Sequence, residues 1–333
     1  MDVVIANANI AEIPADLLVL KHADGFYGAD RAIAQVIGFH EHVQRGQARF
    51  RRGDGLVAPE VVFIGVGPLN EFRYERIQEF GAQAVRLARE HTRVIRHLAL
   101  TIHGPGYGLD PEESFLSMIA GIVAEWKRVD GTLVKVTIVE RSEKRCALLS
   151  EMLLEHLGDL GLARGDRSGT AKLASKAQAA NIAGAPPRGN IVHFGARAEE
   201  KPRLFVAMPF AEEFIDEFEI AFHEASKASE YICERLDLES FTGDVVTEIK
   251  RRIVSSDGVI ALLNNHNPNV FLEIGFALAH GKPTILVAKD GTKLPFDVSG
   301  HRCILYRTIS GLRKTLTSEI ASLKAQGILA RSA

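Results

Sequence analysis

The chain has 333 residues, 46% hydrophobic and 25% charged, enough to bury two cores of moderate size. Its net charge of −2, with Lys and Arg scattered along the chain, offers no basic stripe and argues against nucleic acid as a partner. Cys146, Cys233 and Cys303 lie far apart without CxxC spacing, no basic leader opens the chain, and no run reaches the ~18 apolar residues of a membrane span. We therefore expect a cytoplasmic protein without disulfides, metal, cofactor or membrane contact.

Apolar runs at residues 17–20, 61–66, 97–102 and 134–139 read as buried strands, alternating with helical stretches near 28–38, 71–91, 111–127 and 143–157. Between them, His40-Glu41-His42 reads as a solvated loop. Arg49, Arg51 and Arg52 read as a surface turn near Gly53-Asp54-Gly55, and Trp126 reads as core. From 161 to 200 Gly, Ala, Ser and Arg replace the periodicity and Pro186-Pro187 interrupts any helix, which suggests a linker, with propensity for a short helix over 171–183. Beyond it, runs at 204–207, 259–263 and 284–288 alternate with helices near 213–229, 243–255 and 270–280. Phe214, Phe218 and Phe222 share one helix face. The pattern predicts two three-layer α/β domains, 1–160 and 201–333, with mostly parallel sheets.

Two loops of the first half follow strands and enter helices. One is His22-Ala23-Asp24-Gly25-Phe26-Tyr27-Gly28-Ala29-Asp30, and the other is His103-Gly104-Pro105-Gly106-Tyr107-Gly108. Alternate glycines expose successive amides and let the backbone approach a diphosphate, although tight turning alone explains them equally well. In this order the loops resemble those of macro domains. The resemblance implies a nucleotide such as ADP-ribose at Asp24, Gly25, Gly28, Asp30, Gly104, Gly106, Tyr107 and Gly108. The usual Asn-Ala-Ala-Asn element stands here as Lys21-His22-Ala23-Asp24.

In the second half, a strand ends in Met208-Pro209-Phe210. Cys233-Glu234-Arg235-Leu236-Asp237, a loop through Asp244, and Ser256-Asp257 follow. Then come the strand Gly258-Val259-Ile260-Ala261-Leu262-Leu263 and the segment Asn267-Pro268-Asn269-Val270-Phe271-Leu272-Glu273. This set resembles the nucleoside 2-deoxyribosyltransferase-like family, which shares a flavodoxin-like core with TIR domains. The resemblance implies that Glu273 attacks or stabilises the sugar C1′ while a base departs. It also implies that Met208, Pro209, Phe210, Arg235, Asp244, Asn267 and Asn269 line the substrate. Asp237 or Asp257 would hold a ribose hydroxyl or manage the proton, and Arg235 would offer a phosphate contact. Relatives carry a carboxylate where this chain has Leu262-Leu263 and an aromatic residue where it has Leu272. The plain alternative for Glu273 is a helix cap.

Together the halves suggest a sensor-effector that cleaves an N-glycosidic bond of NAD, a nucleoside or a nucleoside monophosphate, self-associates, and belongs to the antiviral setting that the resemblance implies. The competing expectation is a non-catalytic nucleotide-binding module.

Overall fold

The computed structural model describes residues 1–128, 131–165, 170–173, 193–209, 211–236 and 245–329. Its contacts divide into two compact units. The first comprises Met1–Pro105 with Pro111–Glu199, and the second comprises Gly106–Asp110 with Glu200–Ala333.

The first unit is built on an eight-stranded sheet of β1 (Asp2–Asn7), β2 (Leu17–His22), β3 (Ala48–Arg52), β4 (Glu60–Gly65), β5 (His97–Thr101), β6 (Lys135–Glu140), β7 (Leu162–Arg164) and β8 (Thr170–Leu173), in the order β3-β4-β2-β5-β6-β1-β8-β7. The five central strands, β4, β2, β5, β6 and β1, are parallel, whereas β3, β8 and β7 join antiparallel. Leu17, Leu18, Val19 and Leu20 are all wholly buried, as a parallel strand covered on both faces requires. Each such side chain contributes roughly 1.5–3 kcal/mol. The crossover helices are α1 (Gly28–Val36), α2 (Tyr74–Glu90), α3 (Pro111–Arg128) and α4 (Glu143–Glu155). α2 and α3 pack together. Gly121 permits that approach, because a Cβ there would stand 1.9 Å from the Gln78 carbonyl oxygen.

Three expectations need correction here. The described parts of 161–200 do not read as a linker: β7 and β8 extend the first sheet beside β1, and α5 (Phe194–Glu200) follows. Residues 171–173 of the expected short helix lie in β8, and the remainder of that stretch lies outside the described residues. Arg49, Arg51 and Arg52 lie on the edge strand β3 rather than in a turn. Arg51 pairs with Glu41 and covers the Phe39 ring at 4.7 Å, an amphipathic use of a long side chain.

The second unit holds β9 (Arg203–Ala207), β10 (Ile232–Glu234), β11 (Gly258–Leu262), β12 (Thr284–Lys289) and β13 (Cys303–Tyr306), all parallel, in the order β10-β9-β11-β12-β13. Counted within the unit this is 2-1-3-4-5, the flavodoxin-like order, whose switch point falls between β9 and β11. One face is covered by a π turn (Glu217–Phe222), α6 (His223–Ala228) and α9 (Ile309–Ala325). There Phe214, Phe218 and Phe222 join Leu204, Val206, Ile260 and Leu312 in one core. α7 (Val245–Ser255) and α8 (Pro268–Ala279) pack side by side, and α8 lies on β9, β11 and β12. Among the described residues no helix is long and apolar enough to cross a membrane.

Candidate functional site

Asn267 caps α8 by accepting the Asn269 amide at 2.9 Å, and Pro268 supplies the helical φ of the first residue. Glu273 is then the sixth residue of the helix, past the first-turn amides, on the buried stripe with Val270, Ile274 and Ala277. Its side chain makes no hydrogen bond or ion pair with any described residue, so capping does not explain it. It is 7% exposed, and burial pushes its carboxyl up from 4.5 to about 8. Glu273 is thus a carboxylic acid kept neutral at pH 7 on the helix that packs against β9, β11 and β12.

The other expected residues divide. Met208 and Pro209 are buried at the tip of β9, and Arg235 begins the segment after β10, its Nη1 3.7 Å from Met208 Sδ. Asn269 is exposed. Asp257 departs from the expected catalytic role: it precedes β11 at the amino end of the sheet, where its carboxylate accepts the Arg203 amide at 2.8 Å and staples β9. Phe210, Asp237 and Asp244 lie outside the described residues. Leu262 and Leu263 are wholly buried in the strand, and Leu272 is 59% exposed, turned away from Glu273's face.

Sequence reasoning missed a buried relay at the strand tips. Tyr306 Oη donates to Glu217 Oε1 at 2.6 Å and accepts from Asn264 Nδ2 at 2.8 Å, while Asn264 Oδ1 accepts the Lys289 amide at 2.9 Å. Burial and the Glu217 carboxylate raise the Tyr306 hydroxyl. Asn265 and His266 follow with φ of 60° and 48°, a strained turn between β11 and α8. The two consecutive asparagines Asn264-Asn265 were the available signal, since Asn tolerates the left-handed region.

Residues Gly106–Asp110 build a different element from the one the sequence suggests, because their contacts place them in the second unit. Arg252, 2% exposed, donates to the carbonyls of Tyr107 at 2.8 Å and Gly108 at 3.0 Å. Its Nε donates to Glu248 at 2.9 Å, and its guanidinium lies 4.4 Å from the Tyr107 ring. Tyr107 Oη donates to the same Glu248 oxygen at 2.9 Å, so this ring is committed rather than offered to a ligand. Burial alone would raise the Glu248 carboxyl, but the guanidiniums of Arg251 and Arg252 hold it below its usual range. Asp110 accepts the Cys233 amide at 3.1 Å and faces His223 at 3.2 Å.

In the first unit the tips of β2 and β5 carry the remaining candidates. Asp24, at φ 54°, is exposed with its carboxylate 3.9 Å from His42. Gly25 and Gly28 turn the chain into α1. Asp30 is buried and ion-paired with Lys21, and burial raises its carboxyl despite that partner. His103 is 4% exposed, and burial first, then Lys21, keeps its imidazole well below its ordinary value. Gly104 follows at φ 114°. Among the buried atoms without a hydrogen-bond partner, His22 Nδ1, Asp30 Oδ1 and His103 Nε2 belong to this set of residues, and such groups call for a ligand, a water or a structural reason.

His156 was not singled out either. Its Nε2 lies 2.8 Å from Glu112 and its Nδ1 lies 3.2 Å from Asp159, and the Glu112 contact leads in raising its pKa. Ligand atoms of Glu112, Glu155 and His156 lie within 4.8 Å of one another. Protonated, His156 offsets part of the negative charge of Glu112 and Asp159. Because the folded pKa is raised, its stabilisation is full below the unfolded value of 6.5 and fades as pH rises through the folded value. His156→Gln is expected to lower the melting temperature more at pH 6 than at pH 9. An equal loss at both would show that the charge contributes nothing.

No protein-family model and no curated protein matches the sequence. Among solved structures, the chain is similar to a Trypanosoma brucei macrodomain in complex with ADP, at 17% identity and TM-score 0.37, over 45% of this chain and 68% of that one. It is also similar to a Trypanosoma brucei macrodomain in complex with ADP-ribose, at 19% and 0.39, over 46% and 68%. An Oceanobacillus iheyensis macrodomain with MES bound matches at 16% and 0.38, over 46% and 90%. At these TM-scores none of the likenesses bears on function, and the deoxyribosyltransferase-like and TIR-like resemblance rests on the sequence motifs alone.

Proposed function

We propose that the second unit cleaves an N-glycosidic bond of a nucleotide or nucleoside, with Glu273 as the group that meets the sugar. The observation that carries this is a buried, unpartnered carboxyl whose pKa lies at about 8, on the helix that follows the central strand of a 2-1-3-4-5 sheet. Neutral where it is buried, Glu273 gives its proton to the nitrogen of a purine or pyrimidine base as the C1′–N bond breaks. The carboxylate so formed then stabilises the positive charge that develops on the ribose ring. A water adds to C1′ and returns a proton to Glu273, or a second base adds in its place.

The test is base release from NAD and a panel of nucleosides and nucleotides, followed by chromatography for the full chain and for Glu273→Gln. Release by the parent that the variant lacks supports the reading, and the ratio of free sugar to exchanged base separates hydrolysis from transfer. Release that persists in the variant, or none from any substrate, overturns it.

A second reading, a nucleotide-binding module without turnover, is favoured by the unpartnered buried atoms of His22 and His103 at the tips of β2 and β5 and of Asp30 on α1. A nucleotide there would supply the missing hydrogen bonds and, in the sensor-effector version, regulate the second unit. Affinity for ADP-ribose that falls in His103→Phe, with no base release, would select it.

A further inference from the structure

The turn between β11 and α8 is strained, and it is held. Asn265 and His266 sit at φ 60° and 48°, in the left-handed region that a side chain occupies at a cost unless its surroundings impose it. Three contacts impose it here. Asn264 Nδ2 donates to Tyr306 Oη at 2.8 Å, Asn265 Nδ2 donates to Glu213 Oε1 at 2.9 Å, and His266 Nε2 lies 2.6 Å from the Lys293 carbonyl oxygen. The last two are exposed, where water competes for the same groups, whereas Tyr306 and Asn264 are buried. The Tyr306 bond therefore decides the turn. Tyr306 is itself aimed by Glu217, which accepts from its hydroxyl at 2.6 Å and opens the π turn, an element frequent at functional sites. Asn264 also accepts the Lys289 amide at 2.9 Å, so the tips of β11, β12 and β13 meet at one side chain.

The turn runs directly into Asn267, the cap of α8, and Glu273 is the sixth residue of that helix, roughly 9 Å along it. A hydrogen-bonded helix moves as a unit, so whatever fixes the turn fixes where Glu273 stands. We propose that Tyr306 is a positioning residue: through Asn264 it holds the turn in its left-handed conformation and so keeps Glu273 buried where it meets a sugar. The meeting with a sugar rests on the cleavage reading, whereas the hold on Glu273 does not. α8 packs against β9, β11, β12 and α7. The charged residues of those elements are Arg203, Lys289, Glu248, Lys250, Arg251 and Arg252, and none of them contributes to raising Glu273, which burial alone does.

The test is a double-mutant cycle in the full-length chain. Melting temperatures are measured at pH 5 and pH 8 for the parent, Glu273→Gln, Tyr306→Phe and the double variant. Tyr306→Phe keeps the ring in its core and removes only the hydroxyl. In the parent background the gain from Glu273→Gln grows between the two pH values, because the buried carboxyl resists ionisation. With the turn released, water reaches Glu273, and that growth is expected to shrink by about half or more. A Tyr306→Phe protein that melts lower at both pH values while the growth stays unchanged overturns the proposal. Glu217→Gln, whose amide oxygen still accepts from Tyr306, is expected to leave the growth intact. Asn265→Gly relaxes the strained angle and, added to Tyr306→Phe, is expected to restore part of the growth. No restoration overturns the route through the turn. Base release by Tyr306→Phe is expected to show kcat about tenfold lower with KM within about twofold. Shrunken growth in a chain that releases no base leaves the positioning standing and removes the cleavage reading. A kcat untouched by Tyr306→Phe but abolished by Glu273→Gln does the reverse.

Discussion

Glu273→Gln is expected to abolish base release and at the same time to raise the melting temperature at pH 8. The two effects share one cause. Folding moves this carboxyl from 4.5 to about 8, so the folded state favours the neutral acid. Below pH 4.5 both states are protonated and the burial costs nothing through ionisation. Between pH 4.5 and 8 the folded state must hold a proton that the unfolded chain has released, and stability falls by about 1.4 kcal/mol per pH unit. The accumulated cost is roughly 3 kcal/mol at pH 7, and above pH 8 it levels off. Glutamine has nearly the shape of the protonated acid and never ionises, so the variant should match the parent near pH 5 and exceed it at pH 8. A melting-temperature gap that does not widen from pH 5 to pH 8 would show that the carboxyl is not raised. The parent's activity should fall as pH rises through about 8, where the donated proton is lost.

The second large effect is expected at Arg252, far in sequence from the Gly106–Asp110 segment that it holds. Arg252→Met keeps an unbranched side chain in a site that is 2% exposed but removes the donors to two buried carbonyls and to Glu248. Breaking this buried ion pair and leaving the Tyr107 carbonyl without the guanidinium costs about 3 kcal/mol, although the Gly108 carbonyl keeps the Arg235 amide and Glu248 keeps Arg251. Two units need not unfold in one step, so the loss is best read by hydrogen exchange. Protection should fall at residues 106–110 and across α7 and β10, with little change in β2, β4 and β5. A uniform loss over the whole chain, or a loss below about 1 kcal/mol, would show that the Gly106–Asp110 segment is held by something else. Arg252→Lys should fall between the two, since an ammonium cannot serve both carbonyls and the carboxylate with the geometry of the fork.

The amino-acid sequence by itself determined the elements whose pattern is local. Continuous apolar runs marked β2, β4, β5, β6, β9, β11 and β12, and the helices between them were visible from their 3.6-residue periodicity. It also singled out Glu273, through its place in the apolar segment after a buried strand and the motifs that carry the family resemblance. What it could not show depends on partners distant in the chain. β3, β7 and β8 are short and become strands only through antiparallel neighbours. Asp257 reads as another acid until its hydrogen bond to Arg203 places it at the amino end of the sheet. The Gly-Pro-Gly-Tyr-Gly stretch has the local look of a phosphate loop, and only the tertiary structure turned Gly106–Asp110 into part of the second unit. That decision was made by Arg252 and Glu248, two buried charges 140 or so positions away. Local sequence sets torsion preferences and burial stripes, whereas a buried ion finds its compensating dipoles wherever the fold brings them, and no spacing rule encodes that.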